Sequence, residues 1–225
     1  MERTEGRLRR LAARPHLRAG QRVPRAWLAR PAVQVAPALL GARLVRLEPD
    51  GSRTAGIIVE TEAYGPQEDL GCHCRAGPTR RARVLYGPPG LAYVYFTYGM
   101  HWLFNVVVAA QGVPAAVLIR ALWPTEGLAR IAARRGGRPP RTWTDGPAKV
   151  CQALDVDGRF HGLDMTAPDA PVFLEFAWQI PPAAVTTGPR VGLNTVPEPW
   201  RSVPWRWRVR LPRARANARP RDDSS

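Results

Sequence analysis

The chain has 225 residues, 45% of them hydrophobic, and carries 33 lysines and arginines against 18 acidic residues for a net charge of +15. That length buries a sizeable core, the apolar content argues against disorder of the whole chain, and no apolar run approaches the roughly 18 residues of a membrane span. A charge of this sign and size attracts polyanions in a salt-dependent way, which suits nucleic acid, although acidic substrates, a membrane surface and solubility alone are also served.

Residues 1–22 hold seven arginines and no sustained apolar pattern, and read as a basic, disordered arm. The arm lacks the apolar segment of a secretory signal. From Pro31 to Leu40 the positions Val35, Leu39 and Leu40 sit at helical spacing, and Gly41 stops the run. Leu44, Val45 and Leu47 lead into the turn Pro49-Asp50-Gly51-Ser52, and Ile57–Val59 completes a β-hairpin. Residues 65–90 form a long loop rich in Gly, Pro and Arg, a length that is usually functional in a folded domain. Three strands follow at Leu91–Thr97, Leu103–Ala109 and Ala115–Leu122, then a helix at Thr125–Arg135 and a basic connector at Gly136–Thr144. Asp145-Gly146-Pro147 opens a short helix through Leu154, with Asp145 as its cap. Val172–Phe176 is a strand. Near the end, Trp205, Trp207, Val209 and Leu211 alternate with Arg206, Arg208 and Arg210, giving a strand with one basic face, and residues 213–225 read as a disordered tail. Strands joined by short turns, with helices grouped elsewhere, predict an α+β fold. The expectation is one domain over residues 23–212, with a curved, mostly antiparallel sheet and peripheral helices.

Candidate chemistry is concentrated in one stretch. All five tyrosines, Tyr64, Tyr86, Tyr93, Tyr95 and Tyr98, fall within 35 positions that follow directly on Glu60 and Glu62 and contain His73. Flat aromatic faces are what an unstacked nucleobase needs. On a strand, Glu60, Glu62 and Tyr64 share one face. A carboxylate there suits a general base for water if burial or a neighbouring charge raises its pKa, while two solvated strand glutamates or a Mg²⁺ pair are the alternatives. His73 can donate to a base or phosphate, or simply be exposed. Tyr93 and Tyr95 alternate with Val94 and Phe96, a pattern of core packing or of stacking. Tyr98, before Gly99, is placed to wedge into a DNA stack. Arg120 points from a strand, as a site residue or a structural ion pair, and Arg75, Arg80, Arg81 and Arg83 make the long loop basic.

Cys72, Cys74 and Cys151 are too few for a disulfide framework and fit a reducing compartment. Cys72-His73-Cys74 lacks the spacing and second pair of a structural zinc site. Neither Gly-x-Ser-x-Gly nor a phosphate-binding loop occurs. With Lys149 as the only lysine, a Schiff-base lyase would have to rely on it or on the N-terminus.

Several strings together resemble the alkyladenine (3-methyladenine) DNA glycosylase family, bacterial type. They are Arg30–Leu47, Ile58–Tyr64 (Ile-Val-Glu-Thr-Glu-Ala-Tyr), Gly87–Asn105 (Gly-Pro-Pro-Gly through Tyr-Val-Tyr-Phe-Thr-Tyr-Gly-Met-His-Trp), Val117–Gly127 and Gly146–Leu154, with Arg190-Val191-Gly192 and Pro204–Val209 near the end. The resemblance implies a monofunctional enzyme that flips alkylated or deaminated purines out of double-stranded DNA and hydrolyses the N-glycosidic bond. Carried over position by position, it makes Glu62 the base that activates water and Arg120 the residue that orients the site. Tyr64 and Tyr95 would sandwich the base, His73 would hydrogen-bond its edge, and Asn105 would line the pocket and exclude normal guanine. Tyr98 would intercalate, and Arg80 and Arg81 would contact the DNA backbone. No metal or organic cofactor is implied, and a monomer acting on the nucleoid in the cytoplasm is expected. The chain departs from the family pattern at Pro78–Ala82, where it reads Pro-Thr-Arg-Arg-Ala, and in the cysteines that flank His73.

Overall fold

In the computed structural model, which describes residues 2–211, the chain begins with a helix, α1 (Glu2–Arg10), and a short strand, β1 (Arg14–Pro15). The stretch expected to be a disordered arm is packed against the domain. Leu8 and Ala13 are buried, the His16 ring stacks on Phe176 at 4.4 Å, and the Arg7 guanidinium lies 4.4 Å from the Trp123 ring centroid. Anchors spaced singly among arginines give no periodic signal, which is why composition alone misreads them. The tail expected at 213–225 lies outside the described residues.

After α2 (Arg25–Leu28), helix α3 (Ala32–Ala38) buries Ala32, Val35 and Ala36 and ends before Gly41. That glycine has φ +91°, and a Cβ there would sit 2.3 Å from the Trp178 carbonyl oxygen, so no other residue fits. Strand β2 (Arg43–Leu47) pairs antiparallel with β3 (Arg53–Tyr64), as the hairpin reading expected. The turn is held by Asp50, whose side chain accepts from the Ser52 N–H at 3.0 Å and hydroxyl at 2.6 Å.

The three strands expected after the long loop are β4 (Ala92–Thr97), β5 (His101–Val107) and β6 (Ala116–Glu126). The next helix, α4 (Leu128–Arg134), starts later than expected because Thr125 and Glu126 stay in β6, paired to β3, and Gly127 turns the chain with φ +65°. Helix α5 (Pro147–Leu154) has Gly146 at its cap position, and Asp145 pairs with Lys149 at 2.7 Å instead of capping. Strands β7 (Val172–Glu175), β8 (Trp178–Gln179), β9 (Val185–Gly188) and β10 (Arg206–Val209) complete the chain. β8, which pairs with β1, and β9 are too short to show a sequence period.

The main sheet is antiparallel and open. Its order is β4-β5-β6-β3-β10-β9; β2 joins β3 beside β10, and β7 pairs with β2. β3 is therefore the branch point: its first half pairs with β2, its second with β10, and β6 runs along its other edge. Alternation in β4, β5 and β6 separates two faces. Val94, Phe104, Val106, Val117 and Ile119 join α3 and α5 in the main core. Tyr93, Val107 and Ala116 pack instead against the long loop, where Cys72, Cys74, Ala82 and Leu85 are buried. The loop thus has a small core of its own. Burial decides stability in this arrangement: Ile58→Ala, at a fully buried side chain, is expected to lower unfolding free energy by about 2–5 kcal/mol in urea or thermal melts. Leu17→Ala, at a side chain 95% exposed, should change it by less than about 0.5 kcal/mol.

Candidate active site

The strand register lines up one row of side chains. Tyr93 lies opposite Asn105, Asn105 opposite Leu118, Leu118 opposite Glu62, and Glu62 opposite Arg206. Partners directly across a ladder point to the same face, so five strands deliver these groups to the side covered by the long loop. Between Glu60↔Ala121 and Thr61↔Ile119 the register skips Arg120. This bulge turns the arginine toward both glutamates: Nε donates to Glu60 Oε1 at 3.0 Å and Nη1 to Glu62 Oε2 at 3.3 Å.

A cavity of about 290 Å³ opens over this row, near the small end of ligand sites. Its walls include Tyr64, His73, Tyr95, Asn105 and Arg120, and Tyr98 stands at its edge. Six of the residues expected from sequence thus meet around one space. Glu62 lies just behind the wall with no exposed surface. Its Oε1 accepts the Val191 N–H at 2.7 Å, and its Oε2 accepts the Tyr64 hydroxyl at 2.8 Å as well as Arg120. Burial holds the carboxyl above its ordinary range, and outweighs Arg120, the Val191 N–H and the Tyr64 hydroxyl, which all favour the charged form. The solvated-glutamate reading of this strand is excluded for Glu62 by its burial. Glu60 faces Arg120, Arg206 at 3.4 Å and Arg208 at 3.7 Å, so the basic face of β10 serves to neutralise it.

The loop supplies the opposite wall. His73 begins a 3₁₀ turn, its Nδ1 is 2.9 Å from the Tyr93 hydroxyl, and its ring meets Tyr95 edge-on with centroids 4.6 Å apart. Burial, then Arg81 and Arg75, pull the imidazole down to about 4, so it is neutral at pH 7. Burial and the charge of Glu62 push Tyr95 up to about 12. Asn105 is fixed by donating to the Tyr93 carbonyl oxygen at 3.1 Å. Cys72 and Cys74 are free thiols with sulfurs 2.6 Å apart, and the Cys74 hydrogen bond and burial push the Cys72 thiol up. Among the described residues no group of three His, Cys, Asp or Glu side chains is arranged for a metal.

Tyr98 sits at the β4–β5 hairpin tip, 81% exposed, with φ +52° followed by Gly99 at φ +66°. Strand alternation does not reach it; the left-handed turn sets its direction. Arg80 and Arg81 are exposed on the loop, and the Arg81 guanidinium lies 5.7 Å from the Tyr95 ring centroid. Sequence reasoning assigns no role to Val191, Asp69 or Arg190, all of which contact the site or its walls, while Tyr93, read there as core packing or stacking, does both by packing against the loop and bonding His73. The Arg190-Val191-Gly192 string enters only through the family resemblance.

An aromatic slot with a buried carboxylate behind its wall, on an α+β domain rich in exposed arginine, is the equipment of a DNA glycosylase. The chain belongs to the methylpurine-DNA glycosylase family, whose sequence profile matches residues 26–212. Among its relatives, a Myxococcus xanthus protein is 44% identical over 188 residues, 84% of this chain and 90% of the relative. A Chlorobaculum parvum protein is 41% identical over 76% of this chain and 81% of its own length. A Carboxydothermus hydrogenoformans protein is 51% identical over 64% and 74% respectively. All three carry the name "Putative 3-methyladenine DNA glycosylase". The protein is accordingly a monofunctional DNA glycosylase of base excision repair, a hydrolase whose substrate is DNA. No helix among the described residues is long and apolar enough to cross a membrane.

Two outcomes follow from the site's electrostatics. In NMR titrations the His73 imidazole is expected to stay neutral from pH 8 down to 5.5, with its midpoint near 4. Because the fold raises Glu62, the native state binds more protons than the unfolded chain between the unfolded value of about 4.3 and the raised one. The charged carboxylate therefore lowers stability above that window, and Glu62→Gln should raise the thermal midpoint at pH 7.

Proposed function

We propose that the enzyme extrudes an alkylated or deaminated purine from duplex DNA into the cavity and that Glu62 activates the water that releases it. The observation that carries this reading is the Glu62 carboxylate, fully buried, raised in pKa and bonded to two cavity-lining groups besides Arg120. The cavity holds one flat ring system and no duplex, so the base must leave the stack to enter it, at a cost of a few kcal/mol that is least for a poorly paired base. Tyr64 and Tyr95 sandwich the base, His73 hydrogen-bonds its edge, and Asn105 excludes guanine. Tyr98 fills the vacated place in the stack, which its exposure at a hairpin tip supports. Arg80 and Arg81 grip phosphates.

For a base alkylated at N3 or N7 the chemistry balances without a metal. The C1′–N9 bond breaks, its electron pair neutralises the cationic purine, and the sugar passes through an oxocarbenium-like state. Water adds its oxygen to C1′ and gives its proton to Glu62, leaving an abasic site. Arg120 keeps the carboxylate aimed at that water. Lys149, the only lysine, is tied to Asp145 and does not line the cavity, in keeping with water as nucleophile. The protein acts as a monomer on cytoplasmic, nucleoid DNA, for which its charge of +15 is suited.

The test is base release, in EDTA, from duplexes with one hypoxanthine or ethenoadenine and from methylated genomic DNA. Strand breaks are expected only after alkali. Glu62→Gln should lower the single-turnover rate by about 10²–10⁴-fold, and loss of wild-type activity below a limb above the ordinary carboxylate pKa should mark Glu62 titrating. Arg80→Ala and Arg81→Ala should each reduce the salt slope of DNA binding by about 1. Base release by Glu62→Gln at the wild-type rate would end its assignment as base.

A further inference from the structure

Arg190 and Asp69 lie 121 positions apart in sequence and form an ion pair in which neither side chain is exposed. Their contact is two-pronged: Nη1 to Oδ2 at 2.5 Å and Nη2 to Oδ1 at 2.8 Å. Each partner also ties down backbone. Asp69 accepts the Gly65 N–H at 3.0 Å and the Gly71 N–H at 2.9 Å, which fixes the first turn of the long loop. Arg190 donates from Nη1 to the Ala63 carbonyl at 3.1 Å and from Nη2 to the Trp200 carbonyl at 3.1 Å. Its guanidinium lies 4.8 Å from the Tyr64 ring centroid. The fit leaves no slack, since a Cβ on Gly71 would fall 2.8 Å from Nη2.

Two of the groups this arginine touches, Ala63 and Tyr64, adjoin Glu62, and so does its own chain neighbour Val191. Ala63 is the next residue of β3, Tyr64 donates its hydroxyl to Oε2, and Val191, the residue after Arg190, donates its N–H to Oε1. A buried ion pair is weak evidence for stability in itself, because an apolar pair of similar volume often does as well. A rigid, planar fork that meets a carboxylate and two carbonyls at once does what an apolar pair cannot, which is to fix direction.

We propose that Asp69 and Arg190 are a positioning pair for the general base, setting the place of the Val191 N–H and the Tyr64 ring and so the aim and charge of Glu62. The inference rests on Glu62 being the base. The charged and titratable groups facing Glu62 are Glu60 on β3, Arg120 on β6, Tyr64 and Tyr95 on the walls, and Arg206 across on β10. Of these only Tyr64 is in contact with Arg190. Losing the Val191 N–H removes an interaction that favours the carboxylate, so the proton affinity of Glu62 must rise.

The experiment compares wild type, Arg190→Lys and Val191→Pro in single-turnover base release from a hypoxanthine or ethenoadenine duplex between pH 5 and 9. Rates are normalised to active sites titrated with abasic-analogue DNA. Arg190→Lys keeps the charge opposite Asp69 and loses the fork; Val191→Pro keeps the pair and deletes the N–H. Both are expected to slow the chemical step about 10- to 100-fold, to leave affinity for the analogue DNA within about threefold, and to move the acid limb to higher pH. Normal rates and an unmoved limb per active site in either variant would overturn the proposal and leave the pair a fold contact. If Arg190→Lys does not fold, Val191→Pro decides alone. An inactive wild type, or an active Glu62→Gln, would instead show that the assignment of the base has failed.

Discussion

A carboxylate taken wholly out of water is destabilising unless charge and hydrogen bonds replace its hydration, and the architecture around Glu62 is arranged to supply both. Arg120 comes from β6, the Tyr64 hydroxyl from the end of β3, and the Val191 N–H from the segment after β9. Three parts of the chain remote in sequence must be in place before Glu62 is tolerated. Glu60 repeats the demand one step along the strand and is met by Arg120 together with Arg206 and Arg208 of β10. Pairing of β10 to β3 is thus an electrostatic condition as much as a ladder. The compensation is incomplete for Glu62, whose proton affinity stays raised, and an incompletely satisfied carboxylate is a better base than a fully satisfied one.

The branch at β3 explains how two glutamates two residues apart reach this position. A 12-residue strand is long enough to hold β2 on one half and β10 on the other while β6 spans both. Irregular pairing with β6 falls around Glu60 and opposite Arg120. A regular ladder would alternate Arg120 strictly with its neighbours; the bulge lets it address two carboxylates while Ile119 and Ala121 stay in the core. Thr61, between the glutamates, points the other way and donates to the Ala36 carbonyl at 2.8 Å. One face of the strand is therefore anchored to α3 while the other carries the site.

The sequence revealed what local physics controls. The β2–β3 hairpin was legible because a polar turn with Asp50 and Gly51 separates two apolar runs, and β4 to β6 because alternation is strict where one face meets α3 and α5. Glu62 and Tyr64 were placed together by period alone. Helix α4 was started too early because Thr125 and Glu126 look helical locally, yet their pairing to β3 holds them in a strand. Asp145 looked like a cap, and Lys149 within reach took its carboxylate. The arm resisted reading because its contacts, Leu8 in the core and His16 on Phe176, are tertiary and single. Asp69 and Arg190 were silent for the same reason: a buried pair 121 residues apart leaves no mark in either neighbourhood.

The placement of charge bears on which bases the proposed mechanism favours. The long loop carries Arg75, Arg80, Arg81 and Arg83, all exposed, and Arg81 reaches the rim of Tyr95 at 5.7 Å. Inside, Arg120 is spent on Glu60 and Glu62, and His73 is neutral because burial and the flanking arginines hold it near 4. Burial raises the Tyr64 and Tyr95 hydroxyls, so they too carry no charge at neutral pH. What an incoming base meets is a set of electron-rich ring faces with a carboxylate behind them. Such a lining attracts a cationic alkylpurine by cation–π contact. Arg81 works against this attraction, since its charge lies beside the Tyr95 ring and helps depress the His73 imidazole.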